Sequence, residues 1–81
     1  TFLAHIMQKY AIHQVNFVKP GIGEATRVML RRVPQLLLLR NPHAAAVQHL
    51  CRLATEKNVP IATDAHLPYQ AVALIKDIRH A

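Results

Sequence analysis

Leu3, Ile6, Met7 and Tyr10 fall three and four residues apart, so residues 2–10 read as an amphipathic helix. The character then changes: Val15, Phe17 and Val18 are β-branched or aromatic, and Pro20 and Gly21 end the run, which predicts a short strand. Helical spacing returns after Gly23. Residues 24–32 put Ala25, Val28 and Met29 on one face, Glu24 suits the positive end of the helix dipole, and Pro34 stops the element. Leu36–Leu39 is apolar at every position, the mark of a strand covered on both faces. Asn41 is placed to cap a following helix and Pro42 to take its first position, with Val47, Leu50, Cys51 and Ala54 as the buried stripe of residues 44–57. Asn58 closes that helix and residues 59–62 give a third buried strand. Leu67, Ala71, Leu74, Ile75 and Ile78 then line one face of a terminal helix.

Helix, strand, helix, strand, helix, strand, helix predicts an α/β unit over residues 1–81: a small, three-layer, doubly wound, Rossmann-like parallel sheet of three strands. The first helix has no strand before it, so a first strand is missing from this chain or a partner covers the edge. The chain also opens on Thr1 rather than Met, as a processed or partly represented protein would. So thin a sheet, in a chain 52% hydrophobic, leaves an apolar face to cover and predicts a homo-oligomer or a larger parent chain.

Composition narrows the partners. Ten Lys and Arg against four Asp and Glu give +6, a field that attracts phosphorylated metabolites, nucleic acid or acidic proteins. Arg27, Arg31 and Arg32 stand close together, but aromatics are 5% of the chain, a poor supply for base stacking, so nucleic acid ranks below a metabolite. Cys51 is the single cysteine, which excludes an internal disulfide and fits a reducing, cytoplasmic setting. No apolar stretch approaches the ~20 residues of a membrane span. No signal peptide is evident, since the amino terminus lacks a basic flank and a continuous apolar core. The histidines show no metal-ligand spacing, and the reading calls for no cofactor.

Ligands of open parallel sheets bind beyond the carboxyl ends of the strands. That edge would carry Lys19, Gly21 and Gly23 after strand one, Arg40 and His43 after strand two, and Thr63 and Asp64 after strand three. Two glycines before a helix let backbone N–H groups approach an anion, with Lys19 and Arg40 adding charge, although such a pair also serves as a plain turn. His43 is a candidate proton carrier or a capping surface histidine. Glu24 or Asp64 is a candidate general base; Glu24 also reads simply as a dipole-complementing residue and Asp64 as a cap.

Pro42-His43-Ala44-Ala45-Ala46-Val47, Arg52-Leu53-Ala54-Thr55 and Asn58-Val59-Pro60-Ile61-Ala62-Thr63-Asp64 resemble the signature region of the methylglyoxal synthase-like domain family, and Lys19-Pro20-Gly21-Ile22-Gly23-Glu24 resembles its glycine-rich loop. The resemblance implies a domain that binds a small phosphorylated metabolite. Where active, it would be a carbon–oxygen lyase that converts dihydroxyacetone phosphate to methylglyoxal and phosphate. His43, Glu24 and Asp64 would then be catalytic, and Lys19, Gly21, Gly23, Arg40 and Thr63 ligand-binding. Ala44–Ala46 stand where that family keeps carboxylates, so an inactive regulatory domain is the alternative. A further alternative lies in Gly21-Ile22-Gly23-Glu24-Ala25-Thr26-Arg27, His49-Leu50 and Lys57-Asn58-Val59-Pro60, which resemble the kink-turn RNA-binding ribosomal proteins of the L7Ae type. Their defining loop has Asn where Gly23 stands.

Overall fold

A computed structural model describes residues 2–75. Three α-helices and four strands form an α/β unit: α1 (Phe2–Lys9), β1 (Val18–Pro20), α2 (Ile22–Arg31), β2 (Leu36–Leu39), α3 (Gln48–Lys57), β3 (Ile61–Thr63) and β4 (Ala71–Leu74). The sheet order is β1-β4-β2-β3. β2 and β3 are parallel, while β4 lies between β1 and β2 and is antiparallel to both.

The sheet is therefore mixed, which corrects the expected three-stranded, all-parallel, doubly wound arrangement. The error came from the last segment. Leu67, Ala71, Leu74 and Ile75 fit a helical period, but the chain runs extended through Ala71–Leu74 and all four of these residues are buried. Ala71 and Ala73 face α2 and α3; Val72 and Leu74 face α1. A continuous apolar run buried on both sides carries no alternation to distinguish it from a helix. Ile78, the last member of the expected stripe, lies outside the described residues.

Helices cover both faces. Ala25, Val28 and Met29 of α2 and Leu50 and Ala54 of α3 pack on Leu37, Leu39, Ala71 and Ala73. Ile6 of α1 packs with Ile12, Val18, Leu38, Leu67, Val72 and Leu74 on the other side. β2 and β4 are thus covered on both faces, whereas Ile61 and Thr63 of the edge strand β3, expected to be a buried strand, stay exposed.

Local departures have local causes. Val15–Phe17 is a 3-10 turn, so β1 starts later than its apolar run. Residues 44–47 do not open a helix. Asn41 Oδ1 accepts the His43 N–H at 3.0 Å, and Gln48 Nε2 donates to the carbonyls of Pro42 and Ala44 at 2.9 and 3.0 Å, holding residues 41–47 as a turn and a 3-10 segment before α3. Asn58 does close α3, in the left-handed conformation at φ 59° that asparagine tolerates.

Candidate nucleic-acid interface

β1, β2 and β3 run in one direction, so their carboxyl ends share one edge of the sheet, and the start of β4 joins them there. The Gly21 N–H donates to Ala71 O at 2.8 Å, the Arg40 N–H to Gln70 O at 3.1 Å, and the Asp64 N–H to Leu39 O at 3.0 Å. Gly21, Arg40 and Asp64 are thus held in one row by backbone hydrogen bonds.

Their side chains do not make an acid–base site. Arg40 is exposed, and its Nη1 donates to Leu67 O at 3.4 Å in the loop before β4. Asp64 Oδ1 accepts the His66 N–H at 2.9 Å and shapes the same loop; no helix follows for it to cap. His43 is exposed in a turn five residues before α3, and its described hydrogen bond is the backbone donation to Asn41. It is not at a helix start. Thr63 ends the outermost strand with its side chain exposed.

Lys19, Glu24 and the α2 arginines come together instead. A groove between β1 and α2 is lined by Lys19, Arg27, Arg31 and Arg32, with Glu24 as its one carboxylate. Phe17, Val28 and Ile75 supply its apolar floor. Arg27 Nε lies 4.0 Å from Glu24 Oε1, one turn away on α2, with the two side chains 64% and 49% exposed. An exposed pair of this kind contributes little, and it leaves three cations without a carboxylate in the groove. Arg27 and Arg31 stand four residues apart on one helix, where like charges repel by about 0.2–0.5 kcal/mol. An anion in the groove would reverse the sign of that term.

The groove follows α2 from Glu24 to Arg32, and the glycines that open the helix lie outside its lining. Gly21 takes φ 96° and ψ 150°, and no side chain caps the helix, so the N–H groups of its first turn have no side-chain acceptor. Gly23 lies within that turn, and a Cβ built on it meets nothing within 4 Å. The far end of α2 is held by Lys57 of α3, whose Nζ donates to Met29 O and, at 3.4 Å, to Arg32 O. Thr26 ties the helix to α3 as well. Its hydroxyl donates to Ile22 O at 2.7 Å and lies 2.8 Å from His49 Nε2. With the hydroxyl proton engaged at Ile22, the imidazole must supply the proton of the second bond.

Sequence reasoning noted the Arg27, Arg31 and Arg32 cluster but did not place it at the site. The helical spacing was the signal available; that Lys19 faces these arginines across the β1–α2 junction required the fold. Among the described residues, no three His, Cys, Asp or Glu side chains are grouped to hold a metal ion, and no helix is long and apolar enough to cross a membrane.

The sequence profile of the PELOTA RNA binding domain family matches residues 1–77. A protein of Acinetobacter baylyi named cysteine protease StiP is 40% identical over 76 residues; the match covers 90% of this chain and 20% of that protein's length. These findings overturn the methylglyoxal-synthase resemblance, the lyase activity and the triose-phosphate substrate that went with it. The misleading stretch, Asn58-Val59-Pro60-Ile61-Ala62-Thr63, is a helix stop followed by a strand entry, a pattern set by α/β connectivity rather than by one chemistry. The match to residues 1–77 places this chain in the PELOTA RNA binding domain family.

Proposed function

We propose that the chain is an RNA-binding module that grips the phosphate backbone along α2. The observation that carries this reading is the groove in which Lys19, Arg27, Arg31 and Arg32 converge along α2. Arginine presents planar, multiply donating groups suited to phosphate oxygens. The family match supports the same class of partner. With four cations, binding is dominated by phosphate contacts and counterion release, in whatever reducing, cytoplasmic setting the lone Cys51 implies.

The protease activity in the relative's name is not carried over to Cys51. This thiol is half-buried on α3, and its described contact is the Pro42 carbonyl at 3.8 Å, which does not favour a thiolate.

The test is a titration of a short RNA hairpin into the wild-type chain and Arg31→Ala. Affinity should fall with salt, and the variant should bind more weakly with a shallower salt slope. Equal affinity of the two proteins at every salt concentration would contradict the reading.

A further inference from the structure

Of the four aromatic residues of the chain, two meet in space although 67 positions separate them. The rings of Phe2, at the start of α1, and Tyr69, in the loop before β4, have centroids 5.7 Å apart and planes inclined by 51°. Phe2 also lines a second groove, together with His5, Ile6, Asp64, His66, Leu67 and Pro68, the residue before Tyr69. It is distinct from the α2 groove in composition, with no Lys or Arg, one carboxylate, two imidazoles and an aromatic wall.

We propose that this groove holds an unpaired nucleobase of the RNA whose phosphates lie along α2, an inference that rests on the RNA-binding reading above. The charge pattern selects the base over the phosphate. Asp64 repels an anion, yet its second oxygen can accept from an exocyclic amine or ring N–H of a base, while Oδ1 is held by the His66 N–H. Phe2, Tyr69 and the imidazoles of His5 and His66 offer planar faces, and a stack on such a face is worth about 1–3 kcal/mol per base and tolerates any sequence. Tyr69 is 43% exposed, so its ring is available.

The two grooves share no lining residue and lie on opposite faces of the sheet, this one under α1 and the other beside α2, so the RNA must pass around the sheet between them. The loop at residues 64–70 starts at the end of β3 and crosses the carboxyl edge to Ala71, whose carbonyl receives the Gly21 N–H at the head of α2. Arg40 bonds this loop at its middle, through Leu67 O, and at its end, through Gln70 O.

The experiment compares three RNAs by fluorescence anisotropy at one salt concentration: a blunt hairpin, the same hairpin with a four-nucleotide single-stranded tail, and that tail with its bases removed. The natural tail should raise affinity by about 5–150-fold, the equivalent of one stacked base, and the abasic tail should add almost nothing. Tyr69→Ala should abolish the increment while leaving hairpin affinity unchanged, and Tyr69→Phe should keep it. An abasic tail that binds as well as the natural one overturns the proposal but leaves the phosphate-binding reading standing. Absence of binding to all three RNAs overturns both. If Tyr69→Ala changes sedimentation and no RNA affinity, the groove belongs to a protein contact and the proposal fails.

Discussion

At Gly21 the backbone takes φ 96°, a region costly for any residue with a side chain, while a Cβ there would meet no neighbour. The requirement for glycine is thus conformational. Gly21→Ala should cost about 1–3 kcal/mol in chemical denaturation, even though nothing clashes. Gly23 behaves differently, because it sits in the first turn of α2 with no positive φ and open space around it. By helix propensity alone, Gly23→Ala should stabilise the fold by roughly 0.5–1 kcal/mol. RNA affinity should stay unchanged, because Gly23 does not line the α2 groove. A more stable variant that binds RNA more weakly would place Gly23 in the interface.

The elements legible in the sequence were those whose pattern is unambiguous. β2 occupies Leu36–Leu39 as its apolar run predicts, and α1 and α2 agree with their amphipathic spacing to within two residues. β4 was illegible because burial on both faces erases the alternation of a strand, and because the gaps between Leu67, Ala71 and Leu74 happen to match a helix. Its true role is central. Ala73 is fully buried between α2 and the sheet, so Ala73→Leu should overpack this layer by about 1–3 kcal/mol, measured as a lower denaturation midpoint. On an outward-facing terminal helix the same change would be nearly neutral. At the opposite end of α2, Lys57→Met keeps the aliphatic stem but leaves the Met29 and Arg32 carbonyls without their ammonium donor. The expected loss is about 1–3 kcal/mol, the usual cost of an orphaned charge-assisted partner. Unchanged stability would mean that water replaces the donor freely.

Over the whole molecule, positive charge and aromatic surface are segregated. The α2 groove carries four cations, and the Phe2–Tyr69 groove carries none. Composition made nucleic acid the less favoured partner because +6 spread along a chain with 5% aromatics resembled a diffuse field. The fold concentrates both. Lys19 joins Arg27, Arg31 and Arg32 across a β–α junction, and Phe2 meets Tyr69 from the other end of the chain. The site residues expected at the carboxyl edge divide accordingly: the backbone of Gly21, Arg40 and Asp64 builds that edge, whereas His43 stands apart in its own turn. Edge geometry follows from strand order, but charge convergence depends on which helix face turns toward β1, and no local pattern in the sequence specifies that.

The measurement that bears most directly on RNA binding through α2 is the salt dependence of affinity for a short RNA hairpin. Each phosphate neutralised contributes roughly 0.7–0.9 to the slope of log K against log salt, so four cations predict a slope of about −3 to −4. Arg27→Ala and Arg31→Ala should each make the slope shallower by about 1, and the double variant by about 2. The Phe2–Tyr69 groove supplies a control, since Tyr69→Ala should leave the slope intact. A salt-independent affinity, or a slope that neither arginine changes, would contradict the account.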